Sequence, residues 1–169
     1  MPTTTVCFIN QKGGCGKSSS TYHLGGALAA AGHSTLLVDC DPQGSLGQAF
    51  FGSAAVEALP TRDTLAAVFH TAAMLDAPAR LAVPTGVERL SIVRANQTLA
   101  PFNRPEPDRE GLNQFLLRDA LAAIPGYDLV LIDCPPNLYL ASWNALLAAT
   151  HVVVPVPPED FGAQGLRVV

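Results

Sequence analysis

The feature that most constrains this chain is a glycine-rich segment that follows an apolar run. The run at 6–9 precedes Asn-Gln-Lys-Gly-Gly-Cys-Gly-Lys-Ser at 10–18, which holds both lysines of the chain, Lys12 and Lys17. Glycines let backbone N–H groups turn toward an anion, and the N-terminus of a following helix adds positive partial charge. A lysine and a serine at that helix start can bind phosphate oxygens and Mg²⁺. The sequence therefore predicts a phosphate-binding loop made by Gly13, Gly14, Cys15, Gly16, Lys17, Ser18 and Ser19.

Apolar runs and helix-like stretches alternate along the chain. The runs are mostly continuous, which is typical of strands buried on both faces, and they cover 6–9, 34–38, 90–93, 129–132 and 152–156. The helix-like stretches cover 18–31, 64–69, 111–123 and 138–149. Because such alternation builds a covered parallel sheet, we expect an α/β fold. Its mostly parallel, twisted sheet would carry helices on both faces, in a single domain over 1–169.

Three aspartates stand where two of these runs end. Asp39 and Asp41 follow the run at 34–38, and Asp133 closes the run at 129–132. Ligands of open parallel sheets bind at the carboxyl ends of the strands, so we expect these side chains to converge on the glycine-rich loop. A carboxylate can hold Mg²⁺ or its water, and it can also accept a hydrogen bond from an attacking water.

Taken in order, these segments resemble the motifs of the ParA/MinD superfamily, and of its ParA/Soj partition ATPases in particular. Lys-Gly-Gly-Cys-Gly-Lys-Ser at 12–18 is similar to the deviant Walker A motif. Asp-Cys-Asp-Pro-Gln at 39–43 and Asp-Cys-Pro-Pro at 133–136 are similar to the two switch segments. The resemblance covers nearly the whole chain. It implies a P-loop NTPase-like fold and an ATPase that forms ADP and phosphate, slowly unless a partner stimulates it.

The resemblance also implies a role for each site residue. Lys12 is expected to reach across a dimer interface to the nucleotide of the other subunit, and Lys17 to bind the outer phosphates. Asp41 is expected to position the attacking water. The Mg²⁺ shell is expected to involve Ser18, Asp39 and Asp133. The segment at 155–166 resembles the stretch that lines the adenine pocket, which implies base contacts from Pro157, Pro158 and Glu159.

We therefore expect an ATP- and Mg²⁺-binding switch that forms a homodimer on ATP and acts in plasmid or chromosome partition or in cargo positioning. Loss of the γ-phosphate would release both switch segments and open the dimer. The resemblance implies a ParB-like activator as a partner. The net charge of −4 gives no support to non-specific DNA binding. The chain ends at Val169, where family members continue. An alternative is thus a truncated, non-hydrolysing module that pairs with a full-length ParA-like protein.

Composition and spacing argue against other classes. No apolar run approaches the ~20 residues of a membrane span and no signal-peptide pattern is present, so we expect a cytoplasmic protein without membrane association. No second cysteine follows Cys134, which argues against the metal-cluster carriers that share the loop. The four histidines lack metal-ligand spacing, and the chain has no terminal tyrosine cluster of the kind found in bacterial tyrosine kinases.

Overall fold

A single sheet forms the centre of the part of the chain that the structure describes. The computed structural model describes residues 3–70 and 78–157. The strands in these ranges are β1 (Thr4–Phe8), β2 (Thr35–Asp39), β3 (Ala82–Pro84), β4 (Leu90–Val93), β5 (Leu129–Asp133) and β6 (His151–Val153). Their order across the sheet is β3-β4-β2-β5-β1-β6. Only the pair of β3 with β4 is antiparallel among these described strands.

Helices connect the strands. The α-helices in the described ranges are α1 (Lys17–Ala30), α2 (Ser45–Phe51), α3 (Ser53–Glu57), α4 (Ala66–His70), α5 (Leu116–Ala122) and α6 (Leu140–Ala148). Short 3-10 helices cover Thr61–Asp63, Pro78–Leu81, Gln97–Phe102, Pro107–Arg109 and Gly111–Phe115. Within 3–70 and 78–157, no helix combines the length and the apolar character needed to cross a membrane.

Helices cover both faces of the sheet. Because successive residues of a strand point to opposite sides, a single strand contacts helices on both faces. All five residues of β2 are buried. Leu36 and Val38 belong to a core cluster with residues of α5 and α6, whereas Leu37 belongs to a second cluster with residues of α1 and α2. Burying one such leucine contributes about 1.5–3 kcal/mol. The predicted fold class, a mostly parallel sheet with helices on both sides, is confirmed.

The structure adds three features that the sequence patterns do not indicate. Strand β3 has three residues and ends in a proline, which a sheet tolerates only at an edge, so it gives no strand signal. Helices α2 and α3 are short, and Gly52 between them has a φ of 81°, which breaks the helical pattern. The predicted helix at 111–123 begins as a 3-10 helix and becomes α-helical at Leu116.

The strand order brings three loops to one edge of the sheet. Strand β5 lies between β1 and β2, and Asp133 is the register partner of both Phe8 and Asp39. Because these strands are parallel, the segments that follow them leave the sheet at the same edge. This edge is where ligands bind in open α/β sheets.

Candidate active site

The glycine-rich loop and the start of α1 form one wall of an open cavity of about 280 Å³. Gly14 and Gly16 have φ angles of 71° and 90°, which glycine adopts without strain. Gly16 precedes α1, and no side chain in the described ranges caps that helix end. An anion there would meet backbone N–H groups and the positive end of the helix. The cavity is lined by Gly13, Gly14, Cys15, Gly16, Lys17, Ser18, Ser19, Asp41 and Pro136.

The seven loop residues predicted from the sequence therefore share one cavity, and Asp41 joins them from the segment after β2. Pro136 is a lining residue that belongs to the Asp-Cys-Pro-Pro segment at 133–136 but has no predicted site role of its own. Its signal is the pair of prolines that follows Asp133 and Cys134 after β5. A proline fixes its own φ, so the pair gives the backbone a defined course as it leaves the strand.

Lys17 lies inside the loop. It is 7% exposed, and its ammonium Nζ donates to the carbonyl oxygens of Asn10 at 2.9 Å and Lys12 at 3.2 Å. Its Nζ also lies 3.8 Å from the Cys15 Sγ. A buried ammonium requires such partners, since burying an unpaired charge is costly. Phosphate oxygens are stronger acceptors than these neutral groups, so an anion in the cavity would compete for the same donors.

Asp133 is a buried carboxylate whose two oxygens have no hydrogen-bond partner in the described part of the chain. Burial raises its pKa to about 6. The nearby Ser18 hydroxyl and the Lys17 charge act in the opposite direction, and the Asp41 charge adds to the increase. Buried polar groups are nearly always satisfied, so this carboxylate is suited to a ligand that the protein itself does not supply.

A cation is the ligand that fits the Asp133 carboxylate best. Mg²⁺ prefers carboxylate and hydroxyl oxygens, and it keeps several waters or phosphate oxygens in its shell. Asp133 and Ser18 supply one oxygen of each kind beside the loop. Within the two described ranges, no group of three or more His, Cys, Asp or Glu side chains is arranged to hold a metal. A Mg²⁺ ion held by Asp133 and Ser18 would take its remaining ligands from water and phosphate oxygens.

Asp39 is also fully buried, but both of its oxygens are occupied. They accept hydrogen bonds from the backbone N–H groups of Asp41 and Gly47, each at 3.1 Å. Burial and the charge of Asp133 raise the pKa of Asp39 well above its ordinary value. Through these contacts Asp39 holds the segment that carries Asp41. Its place in the Mg²⁺ shell stays a prediction.

Asp41 is held by a tight turn. Its Oδ1 accepts the N–H of Gln43 at 2.9 Å, and its carbonyl oxygen accepts the N–H of Gly44 at 2.9 Å. Gly44 has a φ of 66°, and a Cβ there would lie 2.5 Å from the Ala95 carbonyl oxygen. The segment after β4 approaches so closely that position 44 requires glycine. This close approach helps to fix the Asp41 carboxylate at the cavity.

The remaining predicted residues lie farther out. Lys12 is exposed, and its backbone contacts belong to the loop. An exposed position at the loop is compatible with the predicted action on another subunit. Pro157 is partly buried in the segment after β6 and is not among the residues that line the loop cavity. The predicted base contacts at Pro158 and Glu159 lie outside the described residues.

The chain matches a known protein family. The AAA_31 family of AAA domains matches residues 3–169. The chain belongs to this family. It is similar to the chromosome partitioning protein ParA of Myxococcus xanthus (strain DK1622), with 36% identity over 163 residues, which are 95% of this chain and 54% of that protein. It is equally similar to the chromosome-partitioning ATPase Soj of Treponema pallidum (strain Nichols), with 36% identity over 162 residues, 96% of this chain and 60% of that protein.

Solved structures of other proteins share the fold of this chain. Cobyrinic acid a,c-diamide synthase from Mycobacterium smegmatis, with a bound ATP analog and magnesium, matches with a TM-score of 0.80 and 30% identity. The match covers 98% of this chain and 62% of that one. A putative plasmid partition protein from Borrelia burgdorferi B31 bound to AMPPNP matches in fold, with a TM-score of 0.72, 23% identity and coverage of 92% and 63%. The predicted resemblance to ParA/Soj-type partition ATPases is confirmed, and the chain spans 54% and 60% of the length of these two relatives.

Proposed function

We propose that this chain is the nucleotide-binding part of a partition-type ATPase, which binds ATP with Mg²⁺, dimerises on ATP and hydrolyses it to ADP and phosphate. The observation that carries the proposal is the Asp133 carboxylate, buried without a hydrogen-bond partner in the described ranges, close to Lys17 and Ser18. A phosphate loop alone suits an anion, whereas a buried carboxylate beside it calls for a cation. A magnesium–nucleotide complex satisfies both groups at once.

Each residue has a distinct task in this proposal. The loop backbone and Lys17 hold the phosphates, and Ser18 and Asp133 hold the metal. When bound, Mg²⁺ neutralises charge on the phosphate oxygens. Asp41 accepts a hydrogen bond from the attacking water and orients it. Asp39 keeps Asp41 in place through the backbone of its turn.

Lys12 completes the site of a second subunit. Its exposed position leaves it outside its own loop cavity. A lysine that arrives only in the dimer adds positive charge where negative charge develops on the phosphates, so dimerisation and hydrolysis are coupled. Basal hydrolysis is slow because the open cavity of one subunit neither excludes water nor carries that charge.

The cellular role that we propose is DNA partition or cargo positioning in the cytoplasm, with stimulation by a ParB-like protein. Support for it comes from the similarity to the ParA and Soj chromosome-partitioning proteins. The chain covers little more than half of those relatives. Nucleotide-dependent dimerisation of the chain itself is therefore tested first, before any binding of DNA or of a ParB-like protein.

Light scattering coupled to size exclusion tests the switch. The wild-type chain is compared in Mg²⁺ with ADP and with AMPPNP, and we expect a dimer only with AMPPNP. Lys12→Ala should bind nucleotide but remain monomeric. Arg62→Ala, which removes one exposed cation paired only loosely with Asp63 at 4.0 Å, is the matched control and should dimerise.

A Lys12→Ala variant that dimerises like wild type would contradict the action in trans. A wild-type chain that stays monomeric and shows no turnover, yet binds a full-length ParA-like protein, would instead support the non-hydrolysing module as its function.

A further inference from the structure

Gln48 connects helix α2 to the turn that carries Asp41. Its side-chain Nε2 donates to the carbonyl oxygen of Gln43 at 2.8 Å, and its Oε1 accepts the Ser53 hydroxyl at 3.0 Å. A backbone carbonyl can only accept, so the amide nitrogen of Gln48 has to face Gln43. Ser53 is the first residue of α3. The Gln48 side chain is therefore held between the turn and the next helix.

The contact with Gln48 holds one peptide group of the turn from its second side. The peptide group between Gln43 and Gly44 donates its N–H to the Asp41 carbonyl at 2.9 Å, and its carbonyl oxygen accepts Gln48 Nε2. The preceding N–H, that of Gln43, donates to Asp41 Oδ1 at 2.9 Å. Rotation of the held peptide group would change the backbone angles of Gln43 and Gly44. It would therefore disturb the turn whose N–H orients the Asp41 carboxylate.

Open space lies beside this turn. A cavity of about 420 Å³ has Gln43, Gln48 and Asn96 among its lining residues. Gln43 is exposed, so its carbonyl oxygen would meet water in the cavity if Gln48 released it. Gly44, with a φ of 66°, has wider backbone freedom than any other residue type. The hydrogen bond from Gln48 thus opposes a rotation that the glycine and the open cavity would otherwise permit.

We propose that Gln48 is a positioning residue for hydrolysis, which holds the Asp41 carboxylate in the orientation that accepts a hydrogen bond from the attacking water. This inference rests on the proposed function, in which Asp41 orients that water. The described residues that line the loop cavity do not include Gln48, so it acts on the nucleotide only through the turn. Its loss should slow the chemical step and leave ATP binding intact.

Steady-state ATP hydrolysis by the full chain in Mg²⁺ tests this role with two variants of nearly the size of glutamine. Gln48→Met removes the donor without adding a charge. Gln48→Glu keeps an acceptor for the Ser53 hydroxyl and loses the donor to Gln43. In both we expect kcat to fall about fivefold or more, the effect of losing one neutral hydrogen bond, with KM for ATP within about twofold of wild type. An unchanged kcat in both variants, or a raised KM with kcat retained, would overturn the proposal.

Gln114→Met is the matched control, because it removes the same kind of hydrogen bond in another part of the chain. The Gln114 Nε2 donates to the Gly111 carbonyl at 3.0 Å, and its Oε1 accepts Trp143 Nε1 at 2.8 Å. None of these three residues lines the loop cavity. We expect kcat of this variant to equal that of wild type. A fall as large as in Gln48→Met would mean that general loosening of the protein slows hydrolysis, and would contradict the role of the turn.

Amide hydrogen exchange of the nucleotide-free protein, measured by NMR, gives a readout that does not depend on turnover. In Gln48→Met, the Gln43 and Gly44 amides, which both donate to Asp41, should exchange several-fold faster than in wild type. The Asp41 amide donates to Asp39 and should keep its rate. Unchanged rates at Gln43 and Gly44 would refute the positioning role. If wild type hydrolyses no ATP, the proposed function fails, and the exchange rates still decide whether Gln48 holds the turn.

Discussion

Replacing Asp133 with asparagine should change how the stability of this protein depends on pH. Burial raises the pKa of Asp133 from its ordinary 3.8 to about 6, against the influence of the Ser18 hydroxyl. The folded protein then binds this proton more tightly than the unfolded chain does. The resulting stabilisation is complete below pH ~3.8 and is lost as the pH rises through ~6. The whole effect is about 3 kcal/mol, of which roughly half is lost between pH 5 and pH 8.

The asparagine variant cannot lose this contribution, because its amide does not titrate. Relative to wild type, we expect the free energy of unfolding of Asp133→Asn to rise by about 1.5 kcal/mol from pH 5 to pH 8. Any fixed cost of burying the amide cancels in that comparison. The substitution also removes the Asp133 charge, which after burial is the largest cause of the raised pKa of Asp39. Lowering the pKa of Asp39 likewise favours the stability of the variant at pH 8 over that at pH 5, relative to wild type.

Urea unfolding at the two pH values, followed by fluorescence of the single tryptophan and carried out without magnesium or nucleotide, measures the effect. Asp108→Asn, the same exchange at an exposed position, is the control. If wild type and Asp133→Asn lose the same stability between pH 5 and pH 8, then Asp133 is not the buried, proton-binding carboxylate inferred here.

Two glycine substitutions test the packing around the site by chemical denaturation. In α1, Gly25→Ala should destabilise by about 1–2 kcal/mol, because its Cβ would lie 2.6 Å from a buried leucine methyl of β2. Gly26→Ala meets nothing within 4 Å and should stabilise by up to ~1 kcal/mol, so equal effects would refute the packing argument. Gly44→Ala should cost about 2 kcal/mol or more, because it adds the Ala95 carbonyl clash to the strain of positive φ. Gly111 also has a positive φ, 55°, but an added Cβ there would meet nothing within 4 Å. Gly111→Ala should therefore lower stability only by the backbone strain, about 1–2 kcal/mol. Equal losses of stability for Gly44→Ala and Gly111→Ala would exclude the clash with Ala95.

Much of the fold can be predicted from the sequence, because the central strands are continuous apolar runs. Strand β2 is an example, since burial on both faces leaves no polar position in Leu36–Leu37–Val38. The edge strand β3 and the short helices α2 and α3 escape prediction. Each is too short to show a period, and their positions depend on contacts with distant segments.

The site could be predicted as a set of residues but not as a set of contacts. The glycines and Lys17 are adjacent in the chain, so their shared cavity follows from local sequence. The different environments of Asp39 and Asp133 do not, although both end a buried strand. Asp39 accepts the N–H of Gly47, whereas Asp133 faces the loop, where the Ser18 hydroxyl and the Lys17 ammonium lie nearby without completing a hydrogen bond to it. Only the three-dimensional arrangement separates these cases.

Calorimetric titration with ATP, in Mg²⁺ and in EDTA, shows for wild type and Asp133→Asn whether this carboxylate and the phosphate loop bind ATP together with its metal. We expect wild type to bind ATP at least tenfold more tightly with Mg²⁺, since a charged contact contributes about 1.5–3 kcal/mol. In Asp133→Asn this dependence on Mg²⁺ should largely disappear, while binding in EDTA persists through the loop and Lys17. A variant that keeps the full Mg²⁺ dependence of wild type would contradict the claim that Asp133 and the phosphate loop form one magnesium–nucleotide site.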